Sequence, residues 1–167
     1  MDNQIYLIAQ LLTPRFDEPP DMSLDGFLEE ADKWVDSRTS ELMREIAANG
    51  TVTTSGLPSS LDDLVEFERE LRAELGAWRQ ARRDGREYQP RRFDSNLLDE
   101  GTPLELERKI MRLRWDFFDD LESEHHFDVE RVILFLGKLI IQHRLHAFDA
   151  EVGQSVFRDA TQVQVFS

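Results

Sequence analysis

Thr102-Pro103-Leu104-Glu105 opens the part of the chain whose reading decides the fold. Thr102 can accept from a free backbone N–H of a first helical turn, Pro103 stands where no N–H is needed, and Glu105 holds the reciprocal position of a capping box. The helix that follows carries Leu106, Ile110, Leu113, Phe117 and Leu121 at steps of four, three, four and four, and Met111, Trp115 and Phe118 widen the same side. So broad an apolar face belongs to an interior helix, not to a coiled-coil seam. A second helix starts near Asp128. Its apolar run from Val132 to Ile141 is interrupted only by Gly137 and Lys138 and is about half of the ~20 residues needed to cross a bilayer, so it reads as a core helix. The two helices hold most of the large side chains and little that could do chemistry.

Outward from this pair, the same logic organises the rest. Residues 4–12 are apolar, and Ile5, Tyr6 and Ile8 lean towards extended structure over a short buried helix. Pro14 to Asp21, with Pro19-Pro20, is a loop. Ser23 caps a helix whose buried side is Leu24, Phe27, Leu28, Ala31, Trp34 and Val35; Asp36-Ser37 offers a break before Leu42, Met43 and Ile46 resume the pattern. Asn49-Gly50 ends that segment, and Thr51 to Ser60 is a polar linker. Ser60 with Asp63 starts the next helix, striped by Leu61, Leu64, Phe67, Leu71, Leu75 and Trp78 and stopped near Gly85. A connector with Pro90 and a short turn at Asn96-Leu97-Leu98 leads back to Thr102. The expectation is one all-α domain over residues 1–167, an irregular bundle of about five helices: helices within 23–48, a helix at 60–84, a connector at 85–101, a helix at 102–124, and a long helix at 128–160 with a kink near Asp149 or Gly153.

Composition fits a soluble helical protein of the cytoplasm. The 167 residues suffice for one core. With no cysteine, disulfides, thiolate metal sites and cysteine nucleophiles are excluded, which suits a reducing compartment. Met1-Asp2-Asn3-Gln4 lacks the positive charge of a signal peptide, and none is expected. The net charge of −14 opposes binding to nucleic acid. One stretch runs against it: Arg79, Arg82, Arg83, Arg86, Arg91 and Arg92 face only Asp84 and Glu87 over fourteen residues. This basic island is the candidate partner-binding site, for an acidic protein or anionic lipid head groups. The competing reading is a solvated helix end whose arginines neutralise the protein's own acidic helices.

Motifs of catalysis are missing. There is no Gly-Xaa-Gly-Xaa-Xaa-Gly fingerprint, no phosphate-loop Gly-Lys-Ser/Thr and no Gly-Xaa-Ser-Xaa-Gly elbow. Glu122-Xaa-Xaa-His125 has the spacing of half a di-iron bundle site, but no second copy exists; His143 and His146 share one helical face. Glu29-Glu30, Asp62-Asp63, Glu66, Glu68, Glu70 and Asp119-Asp120 fall mainly on polar helix faces. The reading is therefore not an enzyme, with no cofactor and no metal site.

The blocks Pro103-Leu-Glu-Leu-Glu-Arg, Leu113-Arg-Trp-Asp-Phe-Phe, His126-Phe-Asp and Ile133-Leu-Phe-Leu-Gly-Lys-Leu, in this order, resemble a bacterial family associated with V-type (V/A-type) ATPases. The opening Ile5-Tyr6-Leu7-Ile8-Ala9, a Pro-containing turn and Met22-Ser23-Leu24 extend the likeness. That family is itself similar to the rotor subunit called C in archaeal-type enzymes and d in vacuolar ones, which sits on the membrane ring and receives the foot of the central stalk. The resemblance implies a non-catalytic subunit or accessory protein of such an ATPase, partnered by stalk and ring subunits and peripheral at the inner face of the cell membrane. The alternative is a free-standing helical interaction module that binds an acidic protein or lipid surface through its Arg-rich segment.

Overall fold

The computed structural model describes residues 7, 8, 11, 13–52, 55–94, 96–99, 101–125 and 128–165, with backbone alone for 96, 99, 152 and 154–165. Among the described residues the chain is all-α and has no strand. Its helices are α1 (Leu24–Ala31), α2 (Ser37–Asn49), α3 (Asp62–Arg83), the single turn α4 (Asn96–Asp99), α5 (Pro103–Glu122) and α6 (Val129–Val165), with a 3-10 turn at Ser59–Leu61 before α3.

The helix ends follow from particular residues. Ser23 Oγ accepts from the Gly26 N–H at 3.0 Å and starts α1, and Asp36 Oδ1 accepts from the Thr39 N–H at 2.7 Å and starts α2. At α5 the capping box is complete: the Thr102 N–H donates to Glu105 Oε2 at 2.7 Å, and the Glu105 N–H donates to Thr102 Oγ1 at 3.2 Å. Gly50, at φ +73°, ends α2, and Gly85, at φ +68°, follows α3, both in the left-handed region that glycine enters without a Cβ penalty. The start of α3 differs from the expected cap. Ser60 lies in the 3-10 turn, and its hydroxyl donates to Glu130 of α6 while α3 begins without a side-chain cap. Residues 7 and 8 are helical rather than extended; the remainder of the expected 4–12 segment, apart from residue 11, lies outside the described residues. The last helix stays helical through Asp149 and Gly153 and runs to Val165, past the expected 160.

One apolar cluster gathers side chains from all the long helices. Its centre is α6: every residue from Val132 to Gln142 is buried, so this stretch is enclosed on all sides. The most extensive helix–helix contact is between α5 and α6. Phe118 lies against Gly137, while Ile133, Leu136 and Ile140 are buried in the same core. Phe117 turns the other way and stacks on Phe67 of α3 at a centroid distance of 4.2 Å. Trp115 meets Phe16 edge-on at 5.6 Å, and Phe135 packs on Phe27 of α1 at 5.0 Å. Gln142 pins the 14–21 loop to α6 by donating to the carbonyls of Arg15 at 2.9 Å and Glu18 at 3.3 Å.

Two charged clusters lie inside this packing. Arg114 of α5 donates to both oxygens of buried Glu68 on α3, at 2.8 and 3.2 Å. Lys138, 2% exposed, donates to Glu122 at 2.9 Å and to Asp119, with the Trp115 ring 5.0 Å away. Arg131 adds a second cation to Glu122 at 3.1 Å. These pairs tie α5 to α3 and to α6, and Glu68 is thereby an exception to the expected solvated carboxylate face.

Candidate functional site

The Arg-rich end of α3 is built by an ordinary helix stop. The Arg86 N–H bonds the Ala81 carbonyl at 2.8 Å and the Gly85 N–H bonds that of Arg82 at 3.3 Å, the paired bonds of a Schellman motif. Positive side chains in the last turn complement the negative end of the helix dipole, so this sequence favours arginine there on local grounds alone. Beyond Gly85 the connector folds back along α3. Buried Glu74 holds it by accepting from the backbone N–H groups of Arg91 at 2.5 Å and Arg92 at 3.4 Å. The two parts of the basic island, five to thirteen positions apart in sequence, therefore both lie along α3, with Arg91 and Arg92 on the side of Glu70 and Glu74.

The six arginines divide by their partners. Arg92 pairs with Glu70, and Arg86 pairs with Asp84 at 3.0 Å, so these two match the reading of arginines as internal counter-charges. Arg79, Arg82, Arg83 and Arg91 are exposed and have no carboxylate partner among the described residues. Arg82 instead lies over the Trp78 ring, 5.4 Å from its centroid. Arg82 and Arg86 border a cleft of ≈ 530 Å³ whose other walls include Trp78, Glu87, Tyr88, Leu98 and Gly101. Burial, reinforced by the Glu74 carboxylate, holds the Tyr88 phenol above its ordinary range. Of the two guanidinium groups at the cleft, Arg86 is met by Asp84, which leaves the Arg82 fork beside the aromatic wall to face an anionic group.

A second group of cations, around Phe16, is organised differently. Arg108 and Arg112 lie over the Phe16 ring at 5.7 and 4.9 Å, but Arg108 is paired with Asp17 at 2.8 Å and Arg112 with Asp116 at 3.1 Å. Its charge is largely met within the molecule.

The histidines do not assemble as their spacing suggested. Glu122 points into the core towards Lys138 and Arg131, whereas His125 bonds Asp128, so the Glu122-Xaa-Xaa-His125 pair is split. His143 Nε2–H donates to the Met22 carbonyl at 2.9 Å and His146 is exposed; they are not brought to a common ligand. His126 lies outside the described residues. The buried pair Arg114–Glu68 and the Lys138–Glu122–Arg131 cluster were missed by periodicity. The one visible signal was Lys138, a cation within an apolar run.

Residues 95–163, less than half of the chain, match a family described as "Protein of unknown function (DUF2764)". The match spans α4, α5 and nearly all of α6. Comparison with curated proteins and with solved structures gave no match.

Proposed function

We propose that this chain is a non-catalytic subunit or accessory protein of a V-type (V/A-type) ATPase and that it docks on an acidic partner surface through the arginine end of α3. The observation that carries the docking surface is the contrast in charge pairing. The protein satisfies its interior cations and most of its surface ones, yet leaves Arg79, Arg82, Arg83 and Arg91, on the last turns of α3 and the connector that returns along it, without a carboxylate among the described residues. Four guanidinium groups on a chain of net charge −14 form a local field opposite to that of the whole molecule, which orients an acidic partner. The ATPase itself is suggested by the resemblance of the blocks between Pro103 and Leu139. Their helices, α5 and α6, form the centre of the bundle, and a part that transmits force by contact needs such a centre more than it needs a reactive cleft. No helix among the described residues is long and apolar enough to cross a membrane, which accords with a peripheral position.

The test is recovery of the tagged chain from its native membranes with identification of co-purifying proteins. Stalk or ring subunits of a V-type ATPase are the expected companions, and their recovery should fall with rising salt and in the triple variant Arg79→Glu, Arg82→Glu, Arg83→Glu. The variant should melt only slightly below the wild type, because these exposed side chains have no ion pair to lose among the described residues and give up only the dipole complement of the last turn and the Arg82–Trp78 contact. Absence of ATPase subunits at low salt overturns the reading. Binding of the free chain to anionic vesicles in their place would favour the stand-alone module.

A further inference from the structure

The turn between α5 and α6 gathers three potential metal ligands. His125 follows the end of α5, Asp128 precedes the first residue of α6, and Glu130 lies in its first turn; one ligand atom from each falls within 4.8 Å of the others. We propose that His125, Asp128 and Glu130 bind a divalent first-row transition ion such as zinc.

Each carboxylate is anchored from outside the set. Asp128 Oδ1 accepts the Arg131 N–H at 3.1 Å, which leaves Oδ2 directed at His125 Nδ1, 2.7 Å away. Glu130 Oε1 accepts from the hydroxyl of Ser60, seventy residues earlier, in the turn that precedes α3. Outer partners of this kind fix ligand orientation in metal sites. They also explain why Ser60 serves α6 rather than capping α3.

The charge around the cluster favours a cation. Two carboxylates lie side by side, and neither forms an ion pair with a lysine or arginine among the described residues; Arg131, the nearest candidate in sequence, turns its guanidinium to Glu122. The positive end of the α6 dipole opposes a cation there, but Asp128 already engages one of the free N–H groups responsible. One imidazole nitrogen with two carboxylate oxygens suits zinc, manganese, iron(II) or cobalt(II). It offers too few oxygens for calcium and no sulfur for copper(I). Water would complete the coordination, since all three side chains are only partly buried. An ion here would fasten the end of α5, the start of α6 and the turn before α3 to one point.

The experiment is titration of the full chain, freed of metal by chelation, with Zn²⁺ by calorimetry and with Co²⁺ by visible absorption. One ion per chain is expected, with a rise in melting temperature as free zinc exceeds the dissociation constant. Loss of a ligand should weaken binding by about tenfold or more, the lower range seen even for outer partners. His125→Ala removes the imidazole but also the bond to Asp128, so Glu130→Gln, which keeps the size of the side chain and an acceptor for Ser60, carries the decision. His146→Ala, at an exposed histidine away from the cluster, should bind as the wild type does. No saturable binding by the wild-type chain at millimolar Zn²⁺, or unchanged binding in Glu130→Gln, overturns the proposal.

Discussion

Phe118 of α5 packs so closely on Gly137 of α6 that a Cβ added to the glycine would lie 2.9 Å from two atoms of the ring, with a Val52 methyl at 3.1 Å. Contact at this distance requires the ring or the helix axis to move, and both are held in the core. Gly137→Ala should therefore destabilise by about 1–3 kcal/mol, despite the ~1 kcal/mol that alanine gains over glycine in a helix. Gly76 in α3 has nothing within 4 Å of the same position, so Gly76→Ala should stabilise by ~0.5–1 kcal/mol. Denaturant titration of the two variants compares one chemical change at two places. Equal signs would show that α5 and α6 do not approach as described.

Trp115, 3% exposed, contributes its ring to Phe16 and Lys138 together. Trp115→Ala should cost about 3–5 kcal/mol, the range for removing a buried aromatic side chain. A loss below ~1 kcal/mol in the same titration would place that face of α5 in solvent.

Lys138 is inside the core, but Glu122 has a second cation in Arg131. Removing Lys138 therefore does not leave Glu122 alone, and the lost aliphatic packing should weigh heavily. Lys138→Met keeps most of that volume and should be more stable than Lys138→Ala by ~2 kcal/mol, at about 0.8 kcal/mol per buried methylene. If alanine and methionine variants melt together, the ammonium group rather than its stem sustains the contact.

Asp36 caps α2, and the Thr39 N–H holds its carboxyl below the usual aspartate range; the hydroxyl of Ser40 and Arg44 do the same for Asp32. A carboxyl with a depressed folded value binds fewer protons when folded, so its contribution is present above the unfolded value and is lost as pH falls through the folded one. Stability should decline from about pH 5 downwards. Asp36→Asn, which still caps but does not titrate there, should flatten part of that decline. Melting curves between neutral and acid pH provide the comparison, and parallel profiles for the two proteins would remove Asp36 from the account.

Much of this fold was legible because its signals are local. The capping box at Thr102 and Glu105, the cap at Ser23, the stops at Gly50 and Gly85, and the stripe from Leu61 to Trp78 each depend on residues within a turn or on one helical period. What escaped depends on distant partners. A serine hydroxyl serves equally as a cap or as a donor across the bundle, and only the arrival of Glu130 decides for Ser60. Phe117 and Phe118 are adjacent in sequence, yet one stacks on α3 and the other meets α6, because the helix between them turns through about 100°. The basic island was visible as composition, but its division was not. Glu70 lies twenty-two positions before Arg92, and whether they meet depends on how the connector returns along α3. The far end of α6 carries no strong stop signal, which is why its length exceeded the pattern.

The 37 residues of α6 span ~55 Å, and the continuously enclosed run among its described side chains is Val132 to Gln142. Past Leu145, the described side chains are exposed except for half-buried Phe148, while the helix continues for about another 30 Å. When the outer turns of such a rod carry a load, the rim of the core is the fulcrum. A sideways load on the outer turns would be multiplied where Leu145 and Phe148 leave the bundle, and the ion pairs of Lys138 would bear the strain two turns further in.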